Sequence, residues 1–137
     1  MSDTAVQANS VVDDIIFRSV GIGVSDLKKS ADFYCRVLGM KQVSTITLDY
    51  MDEIILSMDG HGAALVLMCH TDGGTRDLAN TGGKIVFYVV DPVATVELAR
   101  ERGVEIVREA TPLPEFNDTV IGFVKDPDGH LIEILQA

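Results

Sequence analysis

The sequence predicts an α+β fold. Two tandem βαβββ modules pair into one curved structure. Three observations carry that prediction. First, one order of motifs occurs twice. Val20-Gly-Ile-Gly-Val24, then Ser25-Asp-Leu27, then a helical stretch through Phe33-Tyr34 to Leu38-Gly39 is matched by Ile85-Val-Phe-Tyr-Val89, Asp91-Pro-Val93 and a helical stretch ending at Gly103. The offset holds at about 65 residues, the mark of a repeated structural unit. Second, each half closes on an apolar strand, Ala64-Leu-Val-Leu-Met68 and Leu131-Ile-Glu-Ile-Leu135. Third, neither unit is long enough to bury its own sheet, so the two must pack together.

The elements follow in order. Phe17 to Val24 alternates and is rich in β-branched residues, which predicts a strand. Ser25 or Asp26 caps the helix that follows. Leu27, Ala31, Tyr34 and Leu38 form its apolar stripe, and Gly39 stops it. Strands are expected at about Lys41 to Leu48, Glu53 to Met58 and Ala63 to Cys69, with Asp59-Gly-His-Gly62 as the last turn. Thr71 to Gly83 is a polar, glycine-rich linker. The second module opens on a strand from Lys84 to Val90. Asp91-Pro92 then supplies a cap followed by proline at the first helical position. Val104 to Arg108 is expected as a strand, and Thr111 to Asn117, with two prolines, as a loop. Val120 to Lys125 and His130 to Gln136 form a hairpin around Asp126-Pro-Asp-Gly129. The organisation is therefore a disordered segment 1–14, a first module 15–70, a linker 71–83 and a second module 84–137, all within one domain.

Composition narrows the function classes. Net charge is −10 and no basic cluster occurs, which excludes nucleic acid and anionic membrane as expected partners. No apolar run approaches the length of a membrane span, and the polar, acidic start is unlike a signal peptide. A cytoplasmic protein is expected, with Cys35 and Cys69 reduced.

The pieces Val24-Ser-Asp-Leu27, Asp32-Phe-Tyr34, Val37-Leu-Gly-Met40, Val124-Lys-Asp-Pro-Asp-Gly129 and Ile132-Glu-Ile134 resemble the vicinal oxygen chelate superfamily. That superfamily includes glyoxalase I, the bleomycin-resistance proteins and the extradiol dioxygenases. The resemblance covers about residues 16 to 136 and implies an α+β fold of two tandem βαβββ modules forming a curved mixed sheet cup with the helices on the outside. In metal-using members the cup holds one divalent ion. Each module gives one ligand from its first strand and one from its last, usually histidine or glutamate. Carried over, the four positions fall on Ser19, Leu67, Lys84 and Glu133. Only Glu133 matches. A hydroxyl, an alkyl chain and an ammonium are poor company for a divalent cation, so no metal or other cofactor is expected.

Lys84 and Glu133 are expected to face each other in the cup. They form either a structural ion pair or a polar anchor that can hydrogen-bond a ligand oxygen or move a proton. Alternation adds Val86 and Tyr88 beside Lys84, Leu65 and Cys69 beside Leu67, and Leu131 beside Glu133. Such a face is either a small-molecule pocket or packed core. His70 is expected near the mouth, Phe116 on a covering loop, and His61 and His130 solvated at turns. Together these residues predict a homodimer that binds a small, largely apolar organic molecule without the standard metal. It would act by sequestration or by metal-independent catalysis through Lys84, Glu133 and Tyr88. The alternative is a metal-dependent glyoxalase-like lyase or dioxygenase using one divalent ion. A dimeric interaction module with a filled cup is the third reading.

Overall fold

The computed structural model of the chain describes residues 13–79 and 82–137. Most of the expected disordered segment, residues 1–12, lies outside them. The elements are β1 (Ser19–Gly23), α1 (Leu27–Arg36), β2 (Lys41–Thr47), β3 (Met51–Met58) and β4 (His61–His70). They continue with β5 (Ile85–Val89), α2 (Pro92–Glu101), β6 (Ile106–Leu113), a 3-10 turn (Pro114–Phe116), β7 (Thr119–Lys125) and β8 (Leu131–Gln136). Two four-stranded mixed sheets result, in the orders β1-β4-β3-β2 and β5-β8-β7-β6. In each, the first strand runs parallel to the last, and the remaining pairs are antiparallel. The repeat in the sequence is thus a repeat in topology.

Both helices start where the sequence places them. The Asp26 carboxylate accepts from the Lys29 N–H at 3.1 Å, and Asp91 accepts from the Ala94 N–H at 3.0 Å. Each satisfies an amide that the first helical turn leaves unpaired. One apolar core serves both modules. It joins Phe33, Tyr34, Leu56, Leu65 and Leu67 of the first to Val96, Val124, Ile132 and Ile134 of the second.

Three local expectations are corrected. The turn between β3 and β4 is only Asp59-Gly60, both at positive φ (53° and 81°), and His61 and Gly62 already belong to β4. Two left-handed residues match the twist of a tight hairpin. Pro112 lies within β6 rather than in a loop. β6 is the edge of its sheet, where a missing N–H breaks no ladder bond. The loop over the second module therefore shrinks to Pro114–Asp118. His130 is buried, not solvated.

His130 belongs to a polar junction between the modules. The Tyr34 hydroxyl donates to Asp126 Oδ2 at 2.7 Å. Asp126 Oδ1 accepts from the backbone N–H groups of Asp128 and His130, each at 2.9 Å. His130 Nε2 donates to the Gly23 carbonyl at 2.8 Å. Asp128 accepts from the Ser25 N–H and, at 2.6 Å, from the Ser25 hydroxyl. The β7–β8 turn is thereby tied to β1 and α1.

Burial, and then the neighbouring Asp126, push the Tyr34 hydroxyl well above the usual tyrosine range. Its folded-state value exceeds its unfolded value of about 10. The stability it contributes is therefore fully present below pH about 10 and is lost as pH rises beyond it. Tyr34→Phe is expected to cost about 1–3 kcal/mol at neutral pH, because Asp126 Oδ2 loses its donor. Denaturant titration at a series of pH values checks this: the gap between wild type and variant narrows above pH about 10. A gap that stays constant with pH contradicts it.

Candidate functional site

Strand alternation decides which residues line each open face. On β8, Ile132 and Ile134 point into the core at 0% exposure, so Leu131, Glu133 and Leu135 point the other way. Glu133 faces Val86 across the parallel pair and Phe123 across the antiparallel one. Lys84 Nζ lies 2.5 Å from Glu133 Oε1 and 5.8 Å from the centre of the Phe123 ring. The carboxylate side chain is 9% exposed and the lysine 50% exposed. The pair therefore has one buried end and one wet end. It forms one wall of a cavity of about 540 Å³ with Phe116, Ile121, Leu135 and Gln136. The arrangement offers a carboxylate that can accept a proton beside an ammonium that can donate one.

On the first sheet, Ile54, Leu56, Leu65 and Leu67 point into the core. The open face carries Ser19, Ser44, Ile55, Ser57, Ala64 and Val66, around a cavity of about 450 Å³. Leu65 and Leu67, expected in the cup, are 3% and 0% exposed and pack towards the helices. The register gives the reason. Gly21 pairs with Val66 as Val86 pairs with Glu133. Val66, not Leu67, is the first-module counterpart of Glu133, and a one-residue slip moves a side chain to the opposite face.

The other expected residues disperse. Val86 and Tyr88 line a groove of about 500 Å³ with Val20, Met58 and Ile85. Cys69 and His70 line a separate hollow of about 210 Å³ with Ser25 and Arg76. Ser19 belongs to the first-module cavity, and Leu131 shares the face of Glu133. Of the residues singled out in the sequence, Lys84, Glu133 and Phe116 come together. Sequence reasoning missed Ile121, which alternation on β7 could have placed, and Gln136. It also missed Arg18, which borders the first-module cavity and carries no periodic signal.

The family's four ligand positions here hold Ser19, Val66, Lys84 and Glu133. Among the described residues no group of three or more His, Cys, Asp or Glu side chains could hold a metal ion. One carboxylate, already engaged by an ammonium, does not fit a divalent cation. What these side chains place at the cavity wall is a carboxylate and an ammonium.

Known proteins place this geometry in context. The lactoylglutathione lyase of Neisseria meningitidis is 39% identical over 119 residues, covering 82% of this chain and 84% of that one. The trypanothione-dependent glyoxalase I of Leishmania major superposes with a TM-score of 0.74 at 27% identity, covering 90% of this chain and 87% of that one. Glyoxalase I from Zea mays shares the fold at a TM-score of 0.74 and 23% identity. This chain spans only 44% of that one. These relatives correct the expectation of a metal-free binding protein. Proteins 34% and 39% identical are named lactoylglutathione lyase, which favours the alternative of a metal-dependent glyoxalase-like lyase. The expectation of no cofactor is overturned with it. Residues 16–134 match the model of the Glyoxalase/Bleomycin resistance protein/Dioxygenase superfamily, and the chain belongs to that family.

Proposed function

We propose that this chain is a glyoxalase-type lyase acting on the adduct of a thiol with a 2-oxoaldehyde. The observation that carries the reading is the Glu133 carboxylate, 9% exposed, facing an open cavity with Lys84 Nζ 2.5 Å away. The lyases related to it support the reaction class.

The chemistry balances without water or oxidant. Thiol and aldehyde add to give a hemithioacetal, and its isomer is a 2-hydroxy thioester. One proton leaves the carbon that bears sulfur and arrives at the neighbouring carbonyl carbon. A second moves from the first oxygen to the other. Glu133 takes the carbon-bound proton and returns it to the adjacent carbon. Lys84 gives a proton to the oxygen on which negative charge builds and receives one from the other oxygen. A buried carboxylate beside an ammonium suits both steps, since general acid–base groups contribute about 10²–10⁴ in rate. Fixed donors aimed at developing charge add to that.

The proposal includes a homodimer in the cytoplasm. No helix among the described residues is long and apolar enough to cross a membrane. Each sheet presents its own cavity, and the two share no lining residue. Along the free edges β1 and β5, Val20 is 47%, Val86 45% and Tyr88 74% exposed, and Val90 beyond β5 is 91% exposed. Apolar surface left on two strand edges is a liability that a second copy removes.

Thioester absorbance with methylglyoxal and glutathione, divalent ions being supplied, tests the activity. Glu133→Gln is expected to lower kcat by about 10²–10⁴. Lys84→Met strands a buried carboxylate. The cost should fall to about 1–3 kcal/mol, below the full figure for a buried pair, because water reaches the lysine. The double variant should be more stable than Lys84→Met yet equally inactive. Wild-type turnover in Glu133→Gln sinks the assignment.

Sedimentation at low micromolar concentration checks assembly. The expected species is a dimer with an interface above roughly 2,000 Å². Tyr88→Asp should shift it towards monomer, and a wild type that sediments as a monomer rejects the dimer.

A further inference from the structure

We propose that Phe123 is a positioning residue: its ring holds the Lys84 ammonium beside Glu133, at the wall of the second-module cavity. The consequence for turnover rests on the lyase reading, and the contact itself does not.

A lysine in this place is hard to keep still. Its side chain is 50% exposed and ends in a small, strongly hydrated charge on a long flexible stem. Holding such a chain in one geometry costs rotamer entropy. An exposed ion pair rarely offsets that cost, because solvent screens it. The surface pairs of this chain show the looser case. Lys41 Nζ stands 3.4 Å from Asp59 and Lys125 Nζ 3.8 Å from Glu105, with both partners exposed. Lys84 Nζ closes to 2.5 Å from Glu133 Oε1. Two features set Lys84 apart: its carboxylate is buried, and an aromatic ring lies against its ammonium.

That ring is Phe123, with its centre 5.8 Å from Nζ. The distance is inside the ~6 Å over which the negative face of an aromatic ring attracts a cation. Among the described residues no other lysine or arginine stands over an aromatic ring. Strand register sets the spacing. Phe123 of β7 is the antiparallel partner of Glu133 on β8, so ring and carboxylate stand side by side on one face. Lys84 precedes β5, whose Val86 pairs with Glu133 from the other side. The lysine therefore reaches across β8 towards β7, and its ammonium meets the carboxylate and the ring together.

Phe123 is not among the residues that wall the cavity holding Lys84 and Glu133. A substrate there meets the lysine and not the ring, so Phe123 acts through Lys84. The geometry matters because a proton donor must stay within reach of the oxygen it serves. A displacement of about 1 Å is enough to cost on the order of 10²-fold in rate. An aliphatic side chain at 123 would fill the space without the attraction and leave the ammonium freer to swing into water.

Replacing Phe123 by phenylalanines of increasing ring fluorination tests the role. Fluorine drains negative charge from the ring face and keeps the ring's shape. Melting curves check that the variants fold as wild type. The first readout is the acetylation rate of Lys84 relative to Lys41 and Lys125, by mass spectrometry of the digested protein. It is expected to rise step by step with fluorination. The second is turnover of the methylglyoxal–glutathione adduct, divalent ions being supplied. There kcat is expected to fall by about 2- to 30-fold, the range for a cation–π contact, with KM near wild type. Phe123→Leu should behave like the most fluorinated ring, and Phe123→Tyr like wild type. A labelling rate and a kcat that ignore fluorination overturn the proposal. So does a loss in Phe123→Tyr equal to that in Phe123→Leu. If wild type turns over no adduct while Lys84 labelling still follows fluorination, the lyase reading fails and the positioning of Lys84 stands.

Discussion

The bond from the Tyr34 hydroxyl to Asp126 is the constraint on which the rest of the molecule hangs. It crosses from α1 of the first module to the β7–β8 turn of the second. A buried carboxylate is costly unless its lone pairs are satisfied. Asp126 meets that condition with the Tyr34 hydroxyl and two backbone amides. Those amides belong to Asp128 and His130, which reach Ser25 and the Gly23 carbonyl. The end of β1, the start of α1 and the start of β8 are thus held in one place. Because β8 carries Glu133 three residues after His130, the same junction sets where the candidate carboxylate stands.

Apolar packing surrounds this junction and supplies most of the gain. Phe33 meets Tyr34 edge-on at 5.2 Å between ring centres, and Tyr34 approaches Phe87 at 6.4 Å. Phe33, 1% exposed, contributes about 1.5–3 kcal/mol by its burial, and Phe87 packs against the core only in part. Packing of this kind is tolerant of direction, whereas hydrogen bonds to a buried carboxylate are not. The core therefore drives the modules together, and the Asp126 network fixes the angle at which they meet.

How much of this was legible in the sequence depends on whether the signal was local. Both helix caps were, because Asp26 and Asp91 act on amides three residues away. The opposition of Lys84 and Glu133 was legible through the family resemblance, which carries ligand positions onto both, and the Nζ–Oε1 distance of 2.5 Å agrees with it. The first-module counterpart was misplaced. Ala63 to Met68 is apolar throughout, so nothing in it says which residues point inward or separates Leu67 from Val66. Only the pairing of Gly21 with Val66 resolves the ambiguity. The buried state of His130 was invisible, since its partner carbonyl lies 107 residues away. The scatter of Tyr88, Cys69 and His70 into other hollows was equally invisible. Alternation gives a face but not a position along it.

A repeat that keeps its backbone and changes its side chains divides tasks without altering the scaffold. Val66 and Glu133 occupy equivalent places in equivalent sheets. At the first, the neighbours are hydroxyls and aliphatic groups. At the second, they are an ammonium and an aromatic ring. Burying Glu133 is tolerable only because Lys84 compensates it, and Lys84 keeps its other side in water. That asymmetry is what chemistry at this site would need. A fully buried pair would be held too tightly to meet a substrate, and a fully exposed one would lose its strength to solvent screening. The pair stands between these limits because Phe123 and Val86 flank the carboxylate from the neighbouring strands while the cavity leaves the lysine open.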